Sequence, residues 1–275
     1  MAERLTRCRP LLGTFVEITG DEGAAIEAAF AAIERVHELM SAHQPDSDVS
    51  RINCFAHERA VQVHPWTAAV IERALYWSKQ SGGAFDIVAA GAAAVDSGYL
   101  PRHSAQPKPE CRSWTGLRVA DCSVGIAAPG CIDLGGIAKG FAVDRAVDAM
   151  KAAGSQCGLV NAGGDIAGFG RQPWPVQVVE PATRQAVANV AVVNGAVATS
   201  SVQPDGSAPH LPMRSAGLRS ATVCAPNATD ADALTKVLLS GSPLAAICLE
   251  LVEARAFVID DSGSIAAIER QRRAA

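Results

Sequence analysis

The sequence predicts an α+β fold, with mixed and antiparallel sheets and helices packed on them. Three observations lead there. Helical and strand-like stretches do not alternate in a regular βαβ series. Two early segments repeat apolar residues at helical spacing. Short strand-like runs then crowd into the second half, between about residues 158 and 225.

The elements follow in order. LLGTFVEIT reads as a first strand. GDEGAAIEAAFAAIERVHELM is a helix whose apolar face is Ile26, Ala29, Phe30, Ile33, Val36 and Met40. SAHQPDSDVSRIN reads as a polar loop with turn chemistry at Pro45–Asp46–Ser47, its serines capping a helix start. HPWTAAVIERALYWSKQSGG is a second helix, with Val70, Ile71, Ala74, Leu75 and Trp77 apolar and Gly82 and Gly83 suited to its end. Residues 91 to about 113 are weakly patterned. LRVADCSVGIAA reads as a hairpin. A helix over 137–153 buries Ile137, Phe141, Ala142, Ala146, Ala149 and Met150, and Gly154 ends it. CGLVNAGGDIAGFG is a strand with a glycine turn, and VQVV, VANVAVV, GAVATS and SATVCA are further strands. Helices near Asp232–Leu239 and Pro243–Ala254 precede a last hairpin, AFVIDDSGSIAAI, turning at Asp261–Ser262–Gly263. The 275 residues are enough for one domain, spanning 1–275, or for two tightly fused lobes. Trp66, Trp77, Trp114 and Trp174 read as packing residues.

Bulk properties narrow the function. A formal net charge of −4 argues against nucleic acid as the main partner. No stretch reaches the roughly 18 to 20 apolar residues of a membrane span. The start has no apolar run like that of a signal peptide, so the expected location is the cytoplasm. The eight cysteines form no C-x-x-C pair and read as buried, reduced thiols.

The chemistry concentrates in CIDLGGIAKGFAVDRAVDAM, residues 131–150. Asp133, Gly135, Gly136 and Lys139 stand together at a helix start. Free N–H groups, glycines that admit a ligand and a lysine one turn in suit an anion. Neither the Walker nor the Rossmann glycine pattern is present. The residues alone leave two readings open, an anion-binding turn or a tight structural junction. Asp165, in NAGGDI, either orients a backbone turn, the preferred reading, or touches a ligand. Asp144 reads as a helix-surface or supporting acid.

DLGGIAKGFAVD followed by LVNAGGDIAGFG resembles the FAD:protein FMN transferase family of the ApbE type. LLGTFVEI, PDSDVSRIN, GGAFDIVAAG, AVATSS before His210, and TVCAPNATDADAL fit the same family in the same order, from about residue 11 to 260. The resemblance implies an architecture related to the T-fold. It implies binding of FAD with Mg²⁺, cleavage of the pyrophosphate, transfer of FMN to a Thr or Ser hydroxyl of a target flavoprotein, and release of AMP. By resemblance, the Gly136 carbonyl faces the metal, Asp232 is a metal and catalytic carboxylate, and Thr229 contributes nearby. His210 is the proton acceptor. Asp133 and Lys139 contact the nucleotide, Ala84, Phe85 and Asp86 line the same site, and Leu12, His43 and Leu211 contact the flavin.

Two departures from the family pattern stand out. Lys236 occupies the position of a metal-binding Thr. Three outcomes are open: Thr235 rotates in to serve, the Lys236 ammonium replaces the metal charge, or the site has decayed. After His210 the family's Asp and Pro are replaced by Met213 and Arg214, which leaves the histidine without its usual orienting acid. Two other functions therefore stand beside transfer: an FAD-binding protein that carries or senses flavin, and an FAD pyrophosphatase.

Overall fold

The structure is a computed structural model. It describes residues 4–180, 183, 185–202, 210, 211, 215 and 217–268. Met213 and Arg214 lie outside the described residues.

An eight-stranded sheet forms the body, in the order β1 (Leu5–Leu11), β2 (Thr14–Gly20), β6 (Gly158–Ala162), β7 (Asp165–Phe169), β10 (Gly195–Ser201), β11 (Leu218–Ala225), β12 (Arg255–Asp260) and β13 (Ile265–Ile268). Each neighbouring pair is antiparallel. A small sheet joins β3 (Val61–Gln62), β5 (Ser123–Ile126) and β4 (Leu117–Ala120), and β8 (Trp174–Val179) pairs with β9 (Ala186–Val192). The α+β expectation holds, and the ladders between strands are antiparallel rather than mixed. The only parallel pairing among the described residues is an isolated bridge between Cys111 and Gly130.

Helices α1 (Gly23–Met40), α5 (Ala138–Ala152) and α6 (Ala228–Leu239) make the second layer. The six apolar positions expected of α1 are all buried. In α5, Phe141, Ala142, Ala146 and Met150 are buried as expected, while Ala149 is only half-buried. α6 is buried at every residue, charged ones included. Gly140 permits the α5–α6 crossing, because a Cβ there would run into the backbone carbonyl of Ala228. One apolar core runs through these layers from Val16 to Val258.

Four local readings are corrected. The first strand is a hairpin: β1 and β2 meet at a turn where Leu12 has φ 54° and Gly13 φ 71°. The polar loop after α1 contains α2 (Asp48–Phe55), capped by Ser47, whose side chain accepts from Ser50 N at 3.0 Å. Part of the weakly patterned stretch is α4 (Ile87–Asp96), which is almost all Ala, Val and Gly and so lacks a polar face. The last helix is short, α7 (Ala245–Glu250). α3 (Pro65–Gln80) and the hairpin β12–β13 fall where expected. All eight cysteines are free, but only Cys54, Cys131 and Cys248 are buried, and Cys8 is exposed. Burial pushes the Cys131 thiol up to about 12.

Candidate functional site

The Asp133–Gly136 turn is fixed from below. Asn53, on α2, clamps Ile132 at two points: its Nδ2 donates to Ile132 O at 3.2 Å and its Oδ1 accepts from Ile132 N at 2.8 Å. Gly91 of α4 lets that helix press directly on the Cys131 carbonyl. The backbone N–H of Asp133 donates to Ile87 O at 2.9 Å. These two helices, of which the sequence signalled only the capping serines of α2, are thus the support of the motif.

Above the turn lies a cleft of about 710 Å³, lined in part by Leu12, His43, Asp133, Lys139, His210 and Leu211, all six expected there. Asp133 Oδ1 accepts from Gly135 N at 2.8 Å, and Oδ2 lies 2.5 Å from His210 Nδ1. The imidazole rests where a side chain on Gly135 would stand, so only glycine admits it. Tyr99 meets the ring edge-on at 5.4 Å, with its hydroxyl 3.4 Å from Nε2. Burial pushes the Asp133 carboxyl up, but the charge and hydrogen bond of His210 and the Gly135 N–H outweigh it, and the group ends below the usual range. Asp133 therefore supplies the orienting acid that the sequence after His210 lacks.

The floor of the cleft carries two lysine–aspartate pairs. Lys139 Nζ donates to Asp165 Oδ2. Lys236 Nζ donates to Asp232 Oδ1 and, at 2.8 Å, to Ser200 Oγ. Asp232 Oδ2 accepts from Gly140 N at 3.1 Å. Both acids are fully buried. Asp165 Oδ1 has no hydrogen-bond partner among the described residues. Burial and the neighbouring Asp232 charge push Asp165 up. Burial also opposes ionisation of Asp232, but Lys236 and Lys139 hold it below the usual range. Lys139 stays raised, since Asp165 and Asp232 outweigh the burial that lowers it. The turn in NAGGDI is held instead by Asn161, whose Oδ1 accepts from Gly164 N at 3.1 Å. The turn role expected of Asp165 is corrected: this acid is the anchor of Lys139.

Other expected residues lie outside the cleft lining. Asp86 caps α4, accepting from Val88 N at 2.9 Å, Ala89 N at 3.1 Å and Trp114 N at 3.0 Å. Phe85 is buried, and its ring reaches the underside of Gly136. Ala84 is half-buried beside it. These three support the turn instead of facing the cleft. The Thr229 hydroxyl donates to Asp144, which also accepts from Ala228 N at 2.8 Å and Thr229 N at 2.9 Å. Asp144 is thus the supporting acid of the α6 start. Thr235 is fully buried, bonded to its own helix at Asp232 O and to Ser200.

The residues expected to hold Mg²⁺ do not assemble as a ligand set. Asp232 has both oxygens committed, Thr229 serves Asp144, and Gly136 stands beside the Lys236 side chain. Among the described residues no three His, Cys, Asp or Glu gather as a metal site. A protonated lysine cannot ligate a metal ion, so the donor set does not fit a divalent cation. Sequence reasoning missed Tyr99, Asn53 and Ser200. Asn53 stood within the quoted PDSDVSRIN segment, whereas the pattern around Tyr99 carried no signal.

Comparison with known proteins gives a consistent picture. The model of the ApbE family matches residues 12–205. An FAD:protein FMN transferase of Treponema pallidum is 28% identical over 254 residues, covering 77% of this chain and 69% of that protein. One from Haemophilus influenzae is 27% identical, covering 60% of this chain and 53% of that protein. The crystal structure of the ApbE protein from Thermotoga maritima superposes with a TM-score of 0.83 at 25% identity, covering 98% of this chain and 97% of that one. The flavin transferase ApbE from Vibrio cholerae gives 0.82 at 23%, covering 97% of each chain.

Proposed function

The chain belongs to the ApbE family, and from that premise we propose that it transfers the FMN half of FAD to a Thr or Ser hydroxyl of a protein acceptor, releasing AMP. The observation that carries the reading is the Asp133–His210 pair standing over the lysine floor in one cleft. Asp133 holds the proton on Nδ1, which leaves Nε2 free to accept one. The acceptor hydroxyl gives its proton to Nε2 as its oxygen attacks the phosphorus on the FMN side. The P–O bond to the AMP phosphate breaks, and AMP leaves with the bridging oxygen. Lys139 and Lys236 face the charge that develops on the phosphates. Leu12, His43 and Leu211 give the flavin an apolar and aromatic wall. The free thiols support a reducing compartment, the cytoplasm. No described helix is long and apolar enough to cross a membrane.

Mass spectrometry of a candidate acceptor after incubation with this protein and FAD tests the reading. The expected result is a gain of one FMN residue, lost in His210→Ala. One observation favours a second reading: the closed Lys236–Asp232 pair also suits a protein that holds FAD without transferring it. FAD binding with no gain on an acceptor that another ApbE enzyme modifies decides for that reading. Free FMN and AMP without an acceptor indicate a pyrophosphatase.

A further inference from the structure

We propose that Lys236, seconded by Lys139, is a built-in cation that neutralises the diphosphate of the bound nucleotide where a divalent ion would otherwise be needed. The inference takes the identity of the nucleotide, FAD, from the reading above.

Lys236 and Asp232 sit one turn apart on α6, a helix buried along its whole length. The Lys236 side chain is 6% exposed, yet it lines the cleft. An ammonium group has three donors. Among the described residues, those of Lys236 reach Asp232 and Ser200, which leaves one. Lys139 likewise lines the cleft and reaches one partner, Asp165. In this cluster the two lysines line the cleft, and the two aspartates lie buried behind them. Its acids fix the ammonium groups at the cleft floor. A diphosphate arriving there meets preset positive charge in a region of low dielectric, where each charge interaction is stronger than in water. The same ammonium blocks a metal. Mg²⁺ requires oxygen ligands in a tight octahedron, and the nearest buried carboxylate already holds the lysine.

The test measures nucleotide affinity and metal occupancy, neither of which requires turnover. Wild-type protein is titrated with FAD, ADP and riboflavin, in EDTA and in Mg²⁺, and Mn²⁺ binding is followed by electron paramagnetic resonance. The expected FAD affinity is the same within about twofold in EDTA and Mg²⁺, and no Mn²⁺ is bound. Lys236→Met weakens FAD and ADP by about tenfold or more, the scale of a hydrogen bond to a charged group, and leaves riboflavin, which has no phosphate, unchanged. Lys236→Thr weakens FAD in EDTA, recovers it with Mg²⁺, and gains one Mn²⁺. The proposal is overturned if wild-type protein binds FAD only with Mg²⁺, or if Lys236→Met binds FAD as tightly as wild type. Metal-independent binding of ADP without binding of FAD or riboflavin keeps the built-in cation and removes the flavin reading. Binding of no nucleotide removes both. Should Lys236→Met fail to fold, the wild-type titrations in EDTA and Mg²⁺ decide alone.

Discussion

Asp230 and Asp232 stand two residues apart on one buried helix, and they are different kinds of acid. Asp230 accepts from Arg73 Nε at 2.6 Å and Nη2 at 2.7 Å, from Trp77 Nε1 at 2.8 Å and from Asn227 Nδ2 at 2.8 Å. Its charge is spent on tying α6 to α3. Asp232 anchors an ammonium that lines a cleft, beside Asp165, one of whose oxygens has no partner among the described residues. A saturated buried acid is architecture. One that anchors a cation lining a cavity presents that cation to a ligand. The D-A-D spacing in the sequence gives both residues the same appearance.

The largest effect that sharpens this contrast lies above the cleft. His210→Ala should slow transfer by about 100- to 10,000-fold, and it should also lower stability, because the buried Asp133 carboxylate loses its imidazole partner. A quantitative flavinylation rate and a melting curve check it. A variant that melts early without losing rate would place His210 in the scaffold instead.

Next comes the scaffold acid. Asp230→Ala leaves the Arg73 charge and the Trp77 N–H without their partner, and should cost about 3 kcal/mol of stability in urea unfolding. FAD affinity of the folded fraction should stay put. A change in affinity at unchanged stability would erase the distinction between the two acids.

A smaller effect is expected at Thr229→Val. Asp144 keeps its two backbone N–H bonds, so the loss should be about 1 kcal/mol, with FAD binding unaltered in either EDTA or Mg²⁺. A metal response that appears in wild type and disappears in Thr229→Val would return this residue to the ligand site.

The finest test uses pH. The Asp133 carboxyl titrates below its ordinary 3.8 in the folded chain. Its contribution to stability is therefore complete above 3.8 and drains away as pH falls through the folded value. Urea midpoints from about pH 5 down to about pH 2 should fall more steeply for wild type than for Asp133→Asn. Parallel curves would mean that Asp133 is not held by His210.

What the sequence revealed and concealed follows the range of the forces involved. α1 and α5 were legible because helical periodicity is local, and their apolar faces meet the core where expected. The DLGGIAKG turn was legible as a cluster of unusual residues. α4 was not, because an Ala-rich run bounded by Asp86 has no polar face to reveal its period. The β1–β2 hairpin was missed because Leu12, a residue without turn preference, sits at positive φ beside Gly13. Among site residues, chemistry-bearing types at the motif were found, and their partners were not. Asp133 lies 77 positions from His210, and Lys139 lies 26 from Asp165. Thr229 was misplaced because the helix spacing to Asp232 says nothing of Asp144 waiting on α5.

His210 is borne on the connection between β10 and β11, whose flanks are pinned on adjacent strands: Ser201 pairs with Ser220, and Val202 N donates to Arg219 O at 2.8 Å. The lysine floor, by contrast, is seated in α5 and α6. Doubling the length of such a connection costs only about 0.6 kcal/mol in closure entropy. The base, with Leu211 of the flavin wall, is thus mounted on a replaceable cassette, while the lysines that face the phosphates stay in the chassis. Exchanging that connection between relatives would move His210 and Leu211 together, so transfer rate and flavin contact would change while the lysine floor stays in place.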